Sequence, residues 1–168
     1  MPSQPGLTTL LTELAASGVE FILVGGLAAV AQGAPVTTFD VDIVHARSAD
    51  NIDRLLDFLI RNHARYRGRP GGQPLGPSRP ALEGPGHSLF MTDLGPLDVL
   101  GTIENGLDYD GLLTEHIELE VQGHPIRVLA LATIVRHKRA SPHAKDQQAL
   151  PILEEALRQS EGGDSEPG

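Results

Sequence analysis

The chain of 168 residues contains no cysteine. This absence excludes disulfide bonds, thiolate catalysis and cysteine-ligated zinc. Tryptophan is also absent, and aromatic residues make up only 4% of the chain. No apolar run is long enough to cross a bilayer, and the N-terminus carries no basic-then-apolar signal peptide. We therefore expect a cytoplasmic protein with no membrane partner.

Basic residues are outnumbered by acidic ones, 13 Lys and Arg against 22 Asp and Glu, which gives a net charge of −9. Because nonspecific nucleic-acid binding needs a basic surface, we expect no autonomous binding of this kind. An RNA end held by a few residues is still compatible with this charge. None of the seven histidines forms a close pair at helical ligand spacing, which argues against histidine-ligated zinc.

Hydrophobic periodicity predicts one α/β domain that spans residues 1–159. The predicted helices cover residues 6–17, 27–32, 49–62, 111–115 and 131–139, and a further helix starts at Ser141 with a break or kink at Pro151. The predicted strands cover residues 21–24, 39–44, 87–91, 96–100, 117–121 and 126–129.

Two stretches carry no pattern of regular structure. Residues 68–86 are rich in glycine, proline and arginine, and we predict one long loop there, either functional or a tolerated insertion. Four arginines cluster in or beside this loop: Arg65, Arg67, Arg69 and Arg79. Residues 160–168 are predicted to form a disordered tail.

A glycine pair follows the first buried strand. Gly25 and Gly26 come directly after the apolar run of residues 21–24, and a short helix of small residues comes next. Glycines at this position let backbone amides approach a ligand closely, and a helix N-terminus favours an anion. A dinucleotide-binding turn is the alternative, but the third glycine of that motif is missing.

Three aspartates lie on predicted strands. Asp40 and Asp42 are two residues apart, so their carboxylates point to the same face of a strand, and Asp98 lies between the apolar Leu97 and Val99. Adjacent carboxylates repel each other unless a cation lies between them, and oxygen ligands favour Mg²⁺ or Mn²⁺. Solvent-facing aspartates on an edge strand are the alternative interpretation.

These motifs, in this order, resemble the DNA polymerase β-like nucleotidyltransferase superfamily in its small bacterial branch. That branch includes abortive-infection toxin nucleotidyltransferases and minimal nucleotidyltransferases paired with HEPN-type partners. The matching residues are 24–26, 33–43, 97–100, and Lys138 together with 141–146.

The resemblance implies a nucleotidyltransferase fold, a mixed β-sheet flanked by helices with a short helical C-terminal cap. It implies transfer of a nucleoside monophosphate from an NTP to an acceptor hydroxyl on an RNA end or a protein, in a toxin–antitoxin or phage-defence setting with a possible partner toxin or antitoxin protein. The implied metal ligands and catalytic residues are Asp40, Asp42 and Asp98. The implied nucleotide-binding residues are Gly25, Gly26, Thr38, Lys138, Lys145 and Asp146.

Two positions depart from the pattern of the branch. Many relatives carry arginine where this chain has Val36 and His143. Since two cations are missing near a polyphosphate, a catalytically degenerate NTP-binding module that regulates or neutralises a partner protein is the alternative function. Lys138 and Lys145 have an alternative too, as lysines that complement helix ends or face solvent.

Overall fold

The computed structural model describes residues 5–68 and 75–163. The α-helices of this part of the chain are α1 (Pro5–Ala16), α2 (Gly25–Ala31), α3 (Ala49–Arg61), α4 (Arg79–Glu83), α5 (Tyr109–Leu112), α6 (Leu131–Ala140) and α7 (Ala144–Gly163), and a 3-10 helix covers Glu104–Gly106. Its strands are β1 (Phe21–Val24), β2 (Val41–His45), β3 (Arg65–Tyr66), β4 (His87–Thr92), β5 (Gly95–Leu100), β6 (His116–Val121) and β7 (His124–Leu129). Within those two ranges, no helix has both the length and the apolar character needed to cross a membrane.

The strands form one mixed sheet in the order β3-β4-β5-β2-β1-β7-β6. Strand β2 runs parallel to β5 and β1 runs parallel to β7, whereas the other neighbours are antiparallel. Helix α2 packs on β1 and β2 and against α6, and α6 packs against α7. The predicted α/β class, with a mixed sheet flanked by helices and a helical C-terminal end, is confirmed.

The central strands owe their position to apolar side chains. All four residues of β1 are buried, as expected for a strand covered on both faces. In β2 the side chains alternate: Val41 and Ile43 are fully buried on one face, and Asp42 lies on the other. The sheet therefore has an apolar face at β2 and an opposite face that carries a carboxylate.

A buried polar side chain joins helix α3 to the two central strands. Asn51 is fully buried, and its Oδ1 accepts a hydrogen bond from the backbone N–H of Glu20 at 2.7 Å. Its Nδ2 donates to the carbonyl oxygens of Glu20 at 2.9 Å and Ala46 at 2.7 Å. Asn51 thus satisfies three backbone groups that flank β1 and β2.

The predicted long loop of residues 68–86 is wrong for residues 79–83, which form α4. Residues 69–74 lie outside the described part of the chain. Leu82 anchors α4 by being almost fully buried. The buried His45 donates from Nε2 to the carbonyl oxygen of Leu82 at 2.7 Å, which ties α4 to the end of β2. The short helix α4 is stable because one of its side chains, Leu82, packs into the core.

The C-terminal helix differs from the prediction in two ways. The predicted break at Pro151 is absent, since α7 continues through it. A proline removes only one helical hydrogen bond, and the buried Leu153 and Ala156 pack the following turns onto the core. The predicted disordered tail is wrong for residues 160–163, which are helical; residues 164–168 lie outside the described residues.

We predict that Asn51→Leu lowers the free energy of unfolding by about 2–4 kcal/mol, because the backbone N–H of Glu20 and the carbonyl oxygen of Ala46 lose their partner next to the core. The carbonyl oxygen of Glu20 keeps the backbone N–H of Ala46 as a donor. Urea denaturation measures this change. Asn62→Leu is the matched control, because the Asn62 side chain donates one bond, to the carbonyl of Phe58 within the same helical turn, and is only half-buried. Equal losses in the two variants would contradict the role of Asn51.

Candidate active site

Gly25 begins helix α2 directly at the end of β1 and lies against Asp42. Its φ of +72° is in the left-handed region, which favours glycine. A Cβ atom on Gly25 would lie 2.2 Å from Oδ2 of Asp42. The antiparallel register that pairs Val24 with Asp42 explains this proximity. Glycine is therefore required both by the backbone conformation and by the closeness of the carboxylate.

The second glycine lies against the loop that leads into β2. A Cβ atom on Gly26 would lie 3.0 Å from Oγ1 of Thr38. The Thr38 hydroxyl donates to the carbonyl oxygen of Asp40 at 3.3 Å. Gly26 and Thr38 thus pack the start of α2 against the backbone that carries Asp40.

Asp40, Asp42 and Asp98 form a carboxylate cluster. Asp42 and Asp98 are paired in register on the parallel strands β2 and β5. Asp40 lies just before β2, which begins at Val41, so its predicted place inside the strand is corrected by one residue. One carboxylate oxygen from each aspartate lies within 4.8 Å of the other two.

This cluster is electrostatically unfavourable by itself. Burial, followed by the charges of Asp40 and Asp98, raises the pKa of Asp42 to about 8. Burial and the Asp98 charge also raise the pKa of Asp40. Oδ1 of Asp42 is buried and has no hydrogen-bond partner within residues 5–68 and 75–163. Three converging carboxylates with an unsatisfied buried oxygen fit a hard divalent cation, which takes oxygen ligands.

Arg67 is the cation that contacts this cluster. Its Nη2 donates to Oδ1 of Asp98 at 2.6 Å, and its Nη1 donates to the carbonyl oxygen of Phe90 at 3.0 Å. Of the four arginines assigned to one loop, Arg65 lies in β3 and Arg79 begins α4, where it pairs with Asp53. Arg69 lies outside the described residues. The sequence showed the local positive charge but not its partner.

A second polar group connects α6 with the start of α7. Lys138 Nζ donates to Oδ1 of Asp146 at 2.7 Å, and the Ser141 hydroxyl donates to Oδ2 at 2.6 Å. These two hydrogen bonds lower the pKa of Asp146. Asp146 is therefore an ionised carboxylate that holds Lys138 in place, while Lys145 is exposed.

A cavity of about 460 Å³, here called the carboxylate cavity, brings these groups together. All nine residues predicted for the site line it: Gly25, Gly26, Thr38, Asp40, Asp42, Asp98, Lys138, Lys145 and Asp146. Their individual roles stay predictions. Sequence reasoning missed the apolar side of this cavity, which Ala29, Ile134, Ala149 and Leu153 form. Their spacing matches the periodicity of buried helix residues, so the sequence did not distinguish them from ordinary core residues.

A second cavity of about 460 Å³, here called the apolar cavity, adjoins the first. The two cavities share Gly25, Asp42, Ile134 and Lys138. The remaining lining of the apolar cavity is Val24, His87, Leu100, Ile103, Glu104, Leu129 and His137. A charged compartment and an apolar compartment therefore meet at Asp42.

The two departures from the branch pattern lie at or near this site. Val36 is half-buried and lines the carboxylate cavity. His143 is exposed and close enough to Asp146 for its charge to lower the pKa of that carboxyl, after the hydrogen bonds of Lys138 and Ser141. Among the described residues that line this cavity, Lys138 and Lys145 are the positively charged ones.

No protein-family model matches the sequence, and no curated protein matches it. Solved structures do match its fold. TM1012 from Thermotoga maritima, assigned as a nucleotidyltransferase, superposes with a TM-score of 0.53 at 16% identity, over 96% of this chain and 95% of that one. The lincomycin-bound lincosamide antibiotic adenylyltransferase LnuA gives a TM-score of 0.59 at 14% identity, over 90% of this chain and 96% of that one.

ANT(2″)-Ia in complex with adenylyl-2″-tobramycin gives a TM-score of 0.53 at 15% identity, over 92% of each chain. The similarity to these three structures covers nearly the whole length of this chain and nearly the whole length of each of the three. The resemblance inferred from the glycine pair and the three aspartates is confirmed at the level of the fold: this chain has the nucleotidyltransferase fold.

Proposed function

We propose that the protein is a metal-dependent nucleotidyltransferase that moves a nucleoside monophosphate from an NTP to an acceptor hydroxyl. The observation that carries this proposal is the position of the carboxylate cluster, where the charged and the apolar cavities meet. An NTP is likewise divided into a charged part, the triphosphate, and a less polar part, the nucleoside, which join at the α-phosphate. The bond to be broken would then lie beside the three carboxylates.

The carboxylate cavity suits the triphosphate. Gly25 and Gly26 have no side chains, so their backbone can approach the β- and γ-phosphates. Lys138 and Lys145 supply two positive charges at the same cavity. The apolar cavity suits the nucleoside, since its lining includes Leu100 and four further aliphatic side chains that can contact a base and ribose.

The chemical step is an in-line substitution at the α-phosphorus. The acceptor oxygen forms a bond to this phosphorus, the bond to the oxygen bridging to the β-phosphorus breaks, and pyrophosphate leaves. A carboxylate oxygen of Asp98 takes the proton of the acceptor hydroxyl. Divalent cations, Mg²⁺ or Mn²⁺, held by Asp40 and Asp42, with Asp98 completing the site on the side of the acceptor, would supply positive charge to the attacking and leaving oxygens. Asp146 holds Lys138 at the carboxylate cavity, where the ammonium group would contact the phosphates.

The acceptor can be an RNA end, a protein or a small molecule. LnuA and ANT(2″)-Ia, which share this fold, are an antibiotic adenylyltransferase and a protein solved with an adenylylated antibiotic. An RNA end or a protein in a toxin–antitoxin setting is the acceptor predicted from the sequence. Transfer of label from α-labelled NTPs to tRNA, to protein and to hydroxylated small molecules distinguishes the three classes.

Val36 favours a second candidate function, a degenerate NTP-binding module. An apolar side chain lines the cavity where many relatives of the branch place an arginine, which leaves the triphosphate with one cation fewer. A thermal shift with NTP and Mg²⁺, combined with the label-transfer assay, separates the candidates. Ligand at about 100 times its dissociation constant adds roughly 2.7 kcal/mol of stability. A shift without transfer to any acceptor supports the module, and no shift with any NTP contradicts both candidates.

We predict that Asp42→Asn reduces label transfer by about a hundredfold or more, because a ligand of the proposed metal site loses its charge. The variant is expected to fold, since an amide is nearly isosteric with a carboxyl group. Asp57→Asn, on the exposed side of α3, is the control and should keep full activity. Full transfer by Asp42→Asn would show that the metal site is elsewhere.

We predict that Gly25→Ala lowers transfer by about a hundredfold, because the added methyl group displaces the Asp42 carboxylate by an ångström or more. Gly33→Ala is the matched control: Gly33 has a φ of +97°, so alanine is strained there too, but its Cβ would meet no atom within 4 Å. Both variants should lose about 1–2 kcal/mol of stability from this strain. Equal activities of the two variants would mean that the contact with Asp42 is unimportant.

We predict that the metal-free protein becomes less stable as the pH rises from about 4 to about 8. The folded pKa of Asp42 is about 8 and its ordinary value is 3.8, so in this window the folded state holds a proton that the unfolded state releases. Urea denaturation in EDTA at about pH 5 and about pH 8 measures the effect. Asp42→Asn should lose less stability over this interval, by up to a few kcal/mol. The same decline in both proteins would contradict the raised pKa.

A further inference from the structure

We propose that Arg67 is a built-in counter-ion of Asp98 that keeps a second divalent cation off the Asp98 side of the carboxylate cluster. The resting protein then holds one ion, on Asp40 and Asp42, and a second ion binds only after the guanidinium moves. This inference rests on the proposed metal-dependent function. It adds a residue that the family motifs do not include and a specific metal count.

The guanidinium is fixed on both sides. Nη2 donates to Oδ1 of Asp98 at 2.6 Å, and Nη1 donates to the backbone oxygen of Phe90 at 3.0 Å. The backbone N–H of Arg67 donates to the carbonyl oxygen of Leu89 at 2.9 Å. These three contacts, two of them to strand β4, restrict the motion of Arg67. The side chains of an exposed ion pair would be mobile by comparison.

The pair is also shielded from solvent. The side chain of Arg67 is 26% exposed and that of Asp98 is 14% exposed, so water screens their attraction only partly. Other ion pairs of arginine in this chain are more open, such as the one between Arg61 and Asp57, whose side chains are 54% and 67% exposed. The Arg67–Asp98 contact therefore contributes a persistent positive charge at the cluster.

Charge balance limits the number of cations. When ionised, the carboxylate cluster carries three negative charges, and Arg67 compensates one of them. One divalent cation balances the remaining two. A second cation bound to Asp98 at about 2.1 Å from an oxygen would lie next to a guanidinium of the same sign. Repulsion between like charges opposes that arrangement unless Arg67 leaves Asp98.

Mn²⁺ binding to the full chain without nucleotide tests the inference, with free Mn²⁺ measured by electron paramagnetic resonance. We expect one Mn²⁺ per chain for the wild type. Arg67→Gln should bind a second Mn²⁺ at least about tenfold more tightly than the wild type does. Arg65→Gln removes the same charge from the exposed end of β3, two residues away, and should match the wild type. Arg67→Lys keeps the positive charge and should also bind one.

Three results would overturn the inference: two tight sites in the wild type, unchanged binding in Arg67→Gln, or an equal gain in Arg65→Gln. Asp98→Asn provides an independent test if Arg67→Gln does not fold. It should retain the single tight site with an affinity within about threefold of the wild type, because that ion is held by Asp40 and Asp42. Loss of that site in Asp98→Asn would place the first ion on Asp98 and overturn the inference.

Failure of the proposed function has a different result. If Mn²⁺ binds with the expected dependence on Arg67 but no NTP supplies label to any acceptor, the function is wrong and the inference holds. If the wild type binds no Mn²⁺, both are wrong.

Discussion

Repulsion among three carboxylates is the constraint on which the rest of the site depends. Asp42 is the most affected, because burial and two neighbouring charges raise its pKa to about 8. If Asp42 served only folding, an apolar residue in its place would make the protein more stable. The surrounding elements instead keep the carboxylates close together, with glycine directly beside Asp42 and an arginine on Asp98. A cation therefore gains more from binding here than at a solvated pair of carboxylates.

The order of the strands creates this arrangement. Two parallel neighbours, β2 and β5, place Asp42 directly beside Asp98. The antiparallel neighbour on the other side, β1, ends at Val24 opposite Asp42 and brings the start of α2 to the same point. On the opposite face of β2, Val41 and Ile43 are fully buried, so the strand cannot shift by one residue without placing carboxylates in the core. Packing of the apolar face thus maintains the geometry of the polar one.

The C-terminal helices supply positively charged side chains to the carboxylate cavity. Lys138 from α6 and Lys145 from α7 line the carboxylate cavity, and Asp146 fixes Lys138 through a 2.7 Å contact. These lysines provide positive charge at a site where Val36 provides none. Arg67 donates to Asp98 and does not line this cavity. Carboxylates thus hold two of these cations, Lys138 through Asp146 and Arg67 through Asp98, while the exposed Lys145 lines the cavity.

Local sequence determined the parts of the protein that depend on neighbours in the chain. The apolar run before Gly25, the alternation around Asp42 and the helical stripes of α1 and α3 follow from backbone periodicity, so their elements were predictable. Asp40 and Asp42 are two residues apart, so the same periodicity predicted that their carboxylates share a face. The glycine pair, the aspartates and the late lysines were also recognisable as one motif order.

Tertiary structure alone decided the contacts between distant segments. The pairing of Arg67 with Asp98, the hydrogen bonds of Asn51 across β1 and β2, and the passage of α7 through Pro151 depend on where separate elements pack. No local propensity encodes such contacts, because their energy arises only when the chain brings a partner from far away in sequence. Tertiary structure also decided the raised pKa of Asp42, since burial in the folded sheet raises it first and the charges of Asp40 and Asp98 raise it further.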